Sequence, residues 1–257
     1  MIRFAIFLSL GLAVPLFSIA QDGAFEINQA CVEEGCFDGD DPGFPVNIMS
    51  SGVYKLTSNL TVGDSHGILV NSGLGPVEID LNGYAVIGPN ECSGEPVTKC
   101  NEVTQERGVI APDGVSVKNG SVSGFEIGVD CTGCRMANLH ISDNTRSGAT
   151  AGVGANETGL IARNCVFESN LYYGVRLKGE GNLVEGSIAR FNGNAGITGS
   201  NAVSGVIRNN TISNNEGTGE FVGINFGANV LVTGNSFERA FNGGVSADDN
   251  SCAGEKC

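Results

Sequence analysis

The chain has 257 residues, a formal net charge of −14, 39 Gly, 26 Asn and no Trp. Gly stands at about twice its usual share of roughly 7 per cent, without the Gly-X-Y period of collagen, and a 41% apolar fraction excludes disorder driven by low hydrophobicity. So much Gly and Asn excludes a large helical domain, and the acid excess sets nucleic acid and anionic membrane surfaces aside as partners.

Taken in chain order, Met1 to Arg3 is a short basic start and Phe4 to Phe17 an apolar run. Ser18 and Ala20 then sit three and one residues before a cut ahead of Gln21. That pattern reads as a secretory signal peptide over residues 1–20. A membrane anchor needs about 20 apolar residues, more than this run supplies, so membrane insertion is not expected. Residues 21–43 read as an N-terminal cap, with a short amphipathic helix from Phe25 to Glu34 stopped at Gly35. Asp38, Asp40 and Asp41 form a carboxylate cluster that would suit calcium through hard oxygen ligands. It lacks EF-hand spacing and adjoins the turn Pro42-Gly43, so no cofactor is expected unless calcium binds there.

Residues 44–249 carry a repeat. A Gly followed by a β-branched residue recurs at Gly67-Ile68, Gly108-Val109, Gly128-Val129, Gly152-Val153, Gly174-Val175, Gly196-Ile197, Gly223-Ile224 and Gly244-Val245. A second column holds Asn82, Asn119, Asn138, Asn164, Gly186, Asn209 and Gly234. Around it, Val117, Met136, Ala162, Val184, Ile207 and Val232 alternate with mostly polar neighbours, the period-two signature of strands. A unit of about 23 residues with three short strands is one coil of a right-handed parallel β-helix, and the length allows about eight to nine coils. The Asn column is expected at tight left-handed bends, buried, with its amides bonded to the coils above and below. Pro89 to Arg107 is an excursion too long for a turn. Residues 250–257 form a thin C-terminal tail.

Nine Cys fall mostly in close pairs: Cys31 with Cys36, Cys92 with Cys100, Cys131 with Cys134, Cys252 with Cys257. In an exported protein these read as local disulfides. A metal or redox role for Cys131-Thr132-Gly133-Cys134 lacks a second pair at matching spacing. Cys165 is left over at an apolar position. The expected location is extracellular, periplasmic or cell-surface.

Asp80-Leu81-Asn82-Gly83, Val115-Ser116-Val117-Lys118-Asn119-Gly120 and the Asn-x-x-(Ile/Phe)-x-x-Asn units resemble the right-handed β-helix proteins of the pectin-lyase-like superfamily. They resemble more closely its secreted bacterial repeat proteins, mostly without an assigned activity. The resemblance implies an all-β solenoid and, in its enzymes, sugar chains bound along one strand face between flanking turns. Here that face would be the Gly-Val strand, presenting Ile110, Asp130, Gly154, Arg176, Thr198, Asn225 and Ser246, with Lys178 and Asn156 in a second row. Tyr172 and Tyr173 would stack on a sugar ring, and Asn144 to Ala151 and Asn215 to Phe221 would be the groove walls.

For a lyase, Arg176 or Lys178 would be the base and Asp130 a metal ligand. No trio of Asp ligands stands beside that basic pair, and the two carboxylates a hydrolase needs are several coils apart. The expected role is therefore non-catalytic binding of a polysaccharide, cell-surface glycan or other partner, through Tyr172, Tyr173, Arg176, Lys178 and Asn225. The alternative is a polysaccharide lyase or glycoside hydrolase acting on the same face.

Overall fold

Alternation of small apolar and polar residues builds strands too short to stand alone, and stacking in register buries them. The computed structural model describes residues 23–151, 159–199, 203–215, 224–225, 229–238, 245–246 and 249–256. Two parallel sheets face each other. The first has eight strands: Val46–Ile48, Ile68–Val70, Arg107–Ala111, Ile127–Cys131, Ser147–Ala151, Tyr173–Leu177, Ala195–Gly199 and Ile224–Asn225. They are neighbours in chain order, so the first and last enclose seven turns (8 − 1), slightly fewer than the sequence length allows. The second sheet takes two short strands from most coils, such as Ile161–Arg163 and Val166–Glu168, and one long strand from two of them, Val115–Ser123 and Arg135–Ser142.

The columns read from the sequence are the core. Val109, Val129, Ala149, Val175 and Ile197 pair in succession on the first sheet, each at most 1% exposed. Val117, Met136, Ala162, Val184, Ile207 and Val232 do the same opposite. Each Val, Ile or Met among them contributes about 1.5–3 kcal/mol when fully buried, and the apolar cluster runs from Ile27 to Phe237.

Two corners have one grammar. At one, Asn82, Asn119, Asn138, Asn164 and Asn209 lie at φ 52 to 59, with Gly186 and Gly234 at +60 and +61. The predicted bends are therefore present. The expected burial is not: Asn119 and Asn138 are only partly buried or exposed, and one bond, Asn138 Nδ2 to Asn119 Oδ1 at 3.0 Å, joins them. The buried rows fall one residue later, because a left-handed residue turns its successor inward. Ser187, Asn210, Asn235 and Asn250 make that row here. At the other corner Asp143, Ser169, Phe191 and Asn214 take the positive φ. Asn144, Asn170, Asn192 and Asn215 follow them, at 0–4% exposure, with amide-to-amide bonds of 2.8, 2.9 and 2.8 Å. Each amide also accepts a backbone N–H of the coil before it, as Asn170 Oδ1 does from Asn144 at 3.2 Å, so the buried amides are satisfied.

Three repeat assignments shift. The strand expected at Gly152-Val153 is Ser147–Ala151, with Ala149 between Val129 and Val175, so Thr150 takes the place given to Gly154. This coil's extra residues follow the strand instead of preceding it, which spacing alone does not reveal. Gly154 and Asn156 lie outside the described residues. Val245–Ser246 pairs with Leu231 and Val232 on the second sheet, so Ser246 does not belong to the face.

At the N-terminal end the helix is only Gln29–Val32. Phe25–Ile27 is instead a strand paired with Tyr54–Leu56, because its alternate side chains fit the next strand and Asn28, at φ −150, starts the helix after it. Phe25, Phe37 and Tyr54 pack with ring centroids 5.1 to 5.8 Å apart and close that end. At the far end Ser251–Cys252 and Glu255–Lys256 form an antiparallel hairpin. Cys31–Cys36, Cys92–Cys100 and Cys131–Cys134 are bonded as expected. Cys257 and residues 1–22, where the signal peptide is expected, lie outside the described residues.

Candidate functional site

Outward positions on the first sheet form one row by register: Leu69, Ile110, Asp130, Thr150, Arg176, Thr198 and Asn225. Asp130 and Arg176 are thus two rungs apart. Beside the row, where the chain turns into each strand, Glu126, Arg146, Tyr172 and Asn194 immediately precede the stacked residues Ile127, Ser147, Tyr173 and Ala195. They make a second row along the axis.

Over this second row lies the excursion noted in the sequence. Glu91–Ser93 and Lys99–Asn101 form a hairpin stapled by Cys92–Cys100. Its base is clasped by Asn90, whose Nδ2 donates to the Thr104 carbonyl at 2.9 Å and whose Oδ1 accepts the Thr104 N–H at 2.9 Å. Thr104 Oγ1 in turn donates to Asp64 Oδ1 at 2.9 Å. The tip reaches four rungs along the solenoid from Ile87, by way of Ser123, Ser142 and Glu168 to Arg190: the Val97 N–H bonds the Phe191 carbonyl at 3.0 Å, and Val97 is 2% exposed.

Between this arm and the coils are two clefts. One, of about 470 Å³, is lined by Glu102, Glu126, Arg146, Tyr172, Tyr173 and Arg176 among others. The second, of about 600 Å³, is lined by Val97, Lys99, Tyr172, Gly193 and Asn194 among others. Tyr172, 48% exposed, borders both. Its ring lies 6.2 Å from that of Tyr173, tilted by 42°. Arg146 Nη1 pairs with Glu126 Oε1 at 2.9 Å, whereas Arg176 and Glu102 make no ion pair or hydrogen bond among the described residues.

A second cluster sits further along the same face, beside a cleft of about 510 Å³ lined by Leu69, Asn71, Arg107, Ile110, Asp130 and Thr132 among others. Arg107 Nε stands 2.7 Å from Asp130 Oδ2. Burial pushes the Asp130 carboxyl up, while Arg107 and then Lys178 oppose it. His66 Nδ1 lies 2.6 Å from Glu106 Oε2 and 3.0 Å from the Arg107 backbone N–H. One nitrogen cannot donate to Glu106 and accept from Arg107 at once. Burial lowers the His66 pKa, against the pull of Glu106.

The structure brings Tyr172, Tyr173 and Arg176 to one cleft and leaves Asp130 at the other cluster, where the Lys178 charge acts on its carboxyl. Asn225 holds the expected register position. The groove wall differs from expectation: Ser147–Ala151 is a strand, and the arm supplies the wall with Glu102 and Lys99. Residues 216–223 lie outside the described residues. Neither Glu102, Lys99, Arg146 nor Asn194 was singled out in the sequence, and only the length and Cys pair of the excursion signalled the arm. Of the acidic cluster, Asp38 and Asp41 are exposed and Asp40 is 8% exposed, its oxygens accepting the Cys36 and Asn47 N–H groups at 2.9 and 2.7 Å. His140 is exposed on the second sheet, 2.8 Å from Glu168.

Residues 113–256 match the family described as the right handed beta helix region, which is 144 of 257 residues (256 − 113 + 1). The chain belongs to this β-helix family. Among solved structures it is similar to the alginate lyase from Paenibacillus sp. str. FPU-7, with 12% identity and a TM-score of 0.55 over 82% of this chain and 74% of the lyase. At that identity the shared property is the β-helix fold. No curated protein sequence matches this β-helix chain. No helix among its described residues is long and apolar enough to cross a membrane.

Proposed function

We propose that this is a secreted β-helix protein that binds a polysaccharide or cell-surface glycan on the first sheet's face, without catalysis. The observation that carries the reading is the cleft at Tyr172, Tyr173 and Arg176. It sets the exposed Tyr172 ring and the half-buried Tyr173 beside a guanidinium, Arg176, that makes no ion pair among the described residues, the combination of a few placed polar groups and apolar lining that ligand sites use. Three local disulfides fit an oxidising compartment. The reading invokes no cofactor, so retention should be the same in EDTA as in calcium.

The test is affinity electrophoresis of the purified protein in gels carrying a panel of polysaccharides. Retardation by at least one glycan is expected, and it should be lost in a Tyr172→Ala, Arg176→Ala double variant. A protein unretarded across the panel would sink the reading. The second reading, a lyase or hydrolase, is supported by the Asp130, Arg107, His66 and Lys178 cluster. Unsaturated-product absorbance or new reducing ends that vanish in Asp130→Asn would replace binding with catalysis.

A further inference from the structure

We infer that the groove beneath the arm takes a neutral glycan chain running along the solenoid axis, with Tyr172 as the stacking partition between two subsites. This rests on the carbohydrate-binding reading and names the class of chain and its direction. Direction follows from the floor. Glu126, Arg146, Tyr172 and Asn194 come from four successive coils, so three steps of about 4.8 Å give a track of about 14 Å. The arm flanks that whole track, with Glu102 beside the first cleft and Lys99 beside the second. A ligand confined to one cleft would leave the other unused, whereas a chain passing Tyr172 fills both.

The class follows from charge. The first cleft holds two acids, Glu102 and Glu126, and two bases, Arg146 and Arg176, and Glu126 already neutralises Arg146 at 2.9 Å. A chain with one carboxylate per unit would set its charges against Glu102 on the arm, Glu126 being paired with Arg146, and would approach a protein of net charge −14. Hydroxyls have no such penalty. A carboxylate accepts from them and a guanidinium donates to them, so Glu102 on one wall and Arg176 on the other suit a polyhydroxylated, uncharged ligand. The ring of Tyr172 supplies the apolar face for a sugar ring.

Isothermal titration calorimetry of the intact protein with neutral hexose oligomers and uronate oligomers of matched lengths, at 50 and 300 mM NaCl, tests this. Neutral oligomers should bind, tighten from monosaccharide to short oligomer and then level off, and change less than about twofold with salt. Tyr172→Ala should weaken them about tenfold, the equivalent of an aromatic contact of roughly 1.4 kcal/mol, and Glu102→Gln, on an exposed arm position, should weaken them too. Binding of uronates alone, with steep salt dependence, would overturn the neutral class and leave the binding reading standing. Neutral binding indifferent to both substitutions would overturn the groove. Failure of every glycan to bind would remove the binding reading and this one together.

Discussion

At Gly148 a methyl group has nowhere to go: a Cβ there would stand 2.7 Å from the Gly174 carbonyl oxygen and 3.0 Å from Asn170 Nδ2. Gly128, Gly174 and Gly196 meet the amides of Asn144, Asn192 and Asn215 at the same 3.0 Å. From Gly67 to Gly174 a Cβ would strike the carbonyl oxygen of the next Gly in the column at 2.5 to 2.7 Å, and from Gly128 onward the buried Asn row closes the space as well. Gly148→Ala should cost about 1–3 kcal/mol through overpacking, and Asn170→Ala about the same or more by stranding the buried Asn144 donors on one side and removing a donor to Asn192 Oδ1 on the other. Urea unfolding measures both. The Asn row was only half legible in the sequence. Left-handed bends accept Asn, and the inward site after them also accepts Asn, as in Asn209-Asn210 and Asn214-Asn215, so composition alone does not tell which neighbour is buried. Cys165 takes that inward site in its coil, accepting no ladder amide but donating its backbone N–H to Ser187 Oγ at 3.1 Å. Burial pushes its thiol up to about 11, so a thiol reagent should label the native protein negligibly and the unfolded protein fully.

At the scale of elements the arm and the His66 cluster carry the testable consequences. A Cβ on Gly193 would collide with the carbonyl oxygens of Val97 and Leu171. Gly193→Ala should therefore lift the arm's tip, and trypsin should cut faster after the exposed Lys99, while the wild-type arm resists. The arm's existence was legible from an excursion with two Cys, but its landing site was not. A contact between Val97 and Phe191 joins residues far apart in sequence, with no periodic signal to connect them. The strands were legible because period-two alternation survives within each coil. The Ser147–Ala151 strand was missed because its Gly-Ala pair lacks the β-branched mark.

His66 gives a pH dependence. Its folded pKa is lowered, so below the usual value of about 6.5 the unfolded chain binds the proton more readily. Stability should fall as pH drops from about 6.5 through the folded pKa. A His66→Gln variant should lose less melting temperature than wild type over that window, as differential scanning calorimetry at stepped pH would show.

For the whole molecule, a net charge of −14 acts against compaction. Raising NaCl from 10 to 150 mM shortens the screening length from about 30 to about 8 Å, and the melting temperature should rise accordingly. The arm adds a consequence of another kind. In an ordinary stack each coil touches only its neighbours, so fraying at one end advances coil by coil. Here a single stapled hairpin, rooted beside Gly124 and latched at Phe191, spans the coils between. Those coils lose their independence: none can open without releasing the latch. Amide hydrogens of the strands from Ile127–Cys131 to Ala195–Gly199 should therefore exchange with one common opening free energy, a cooperative block inside an otherwise graded solenoid.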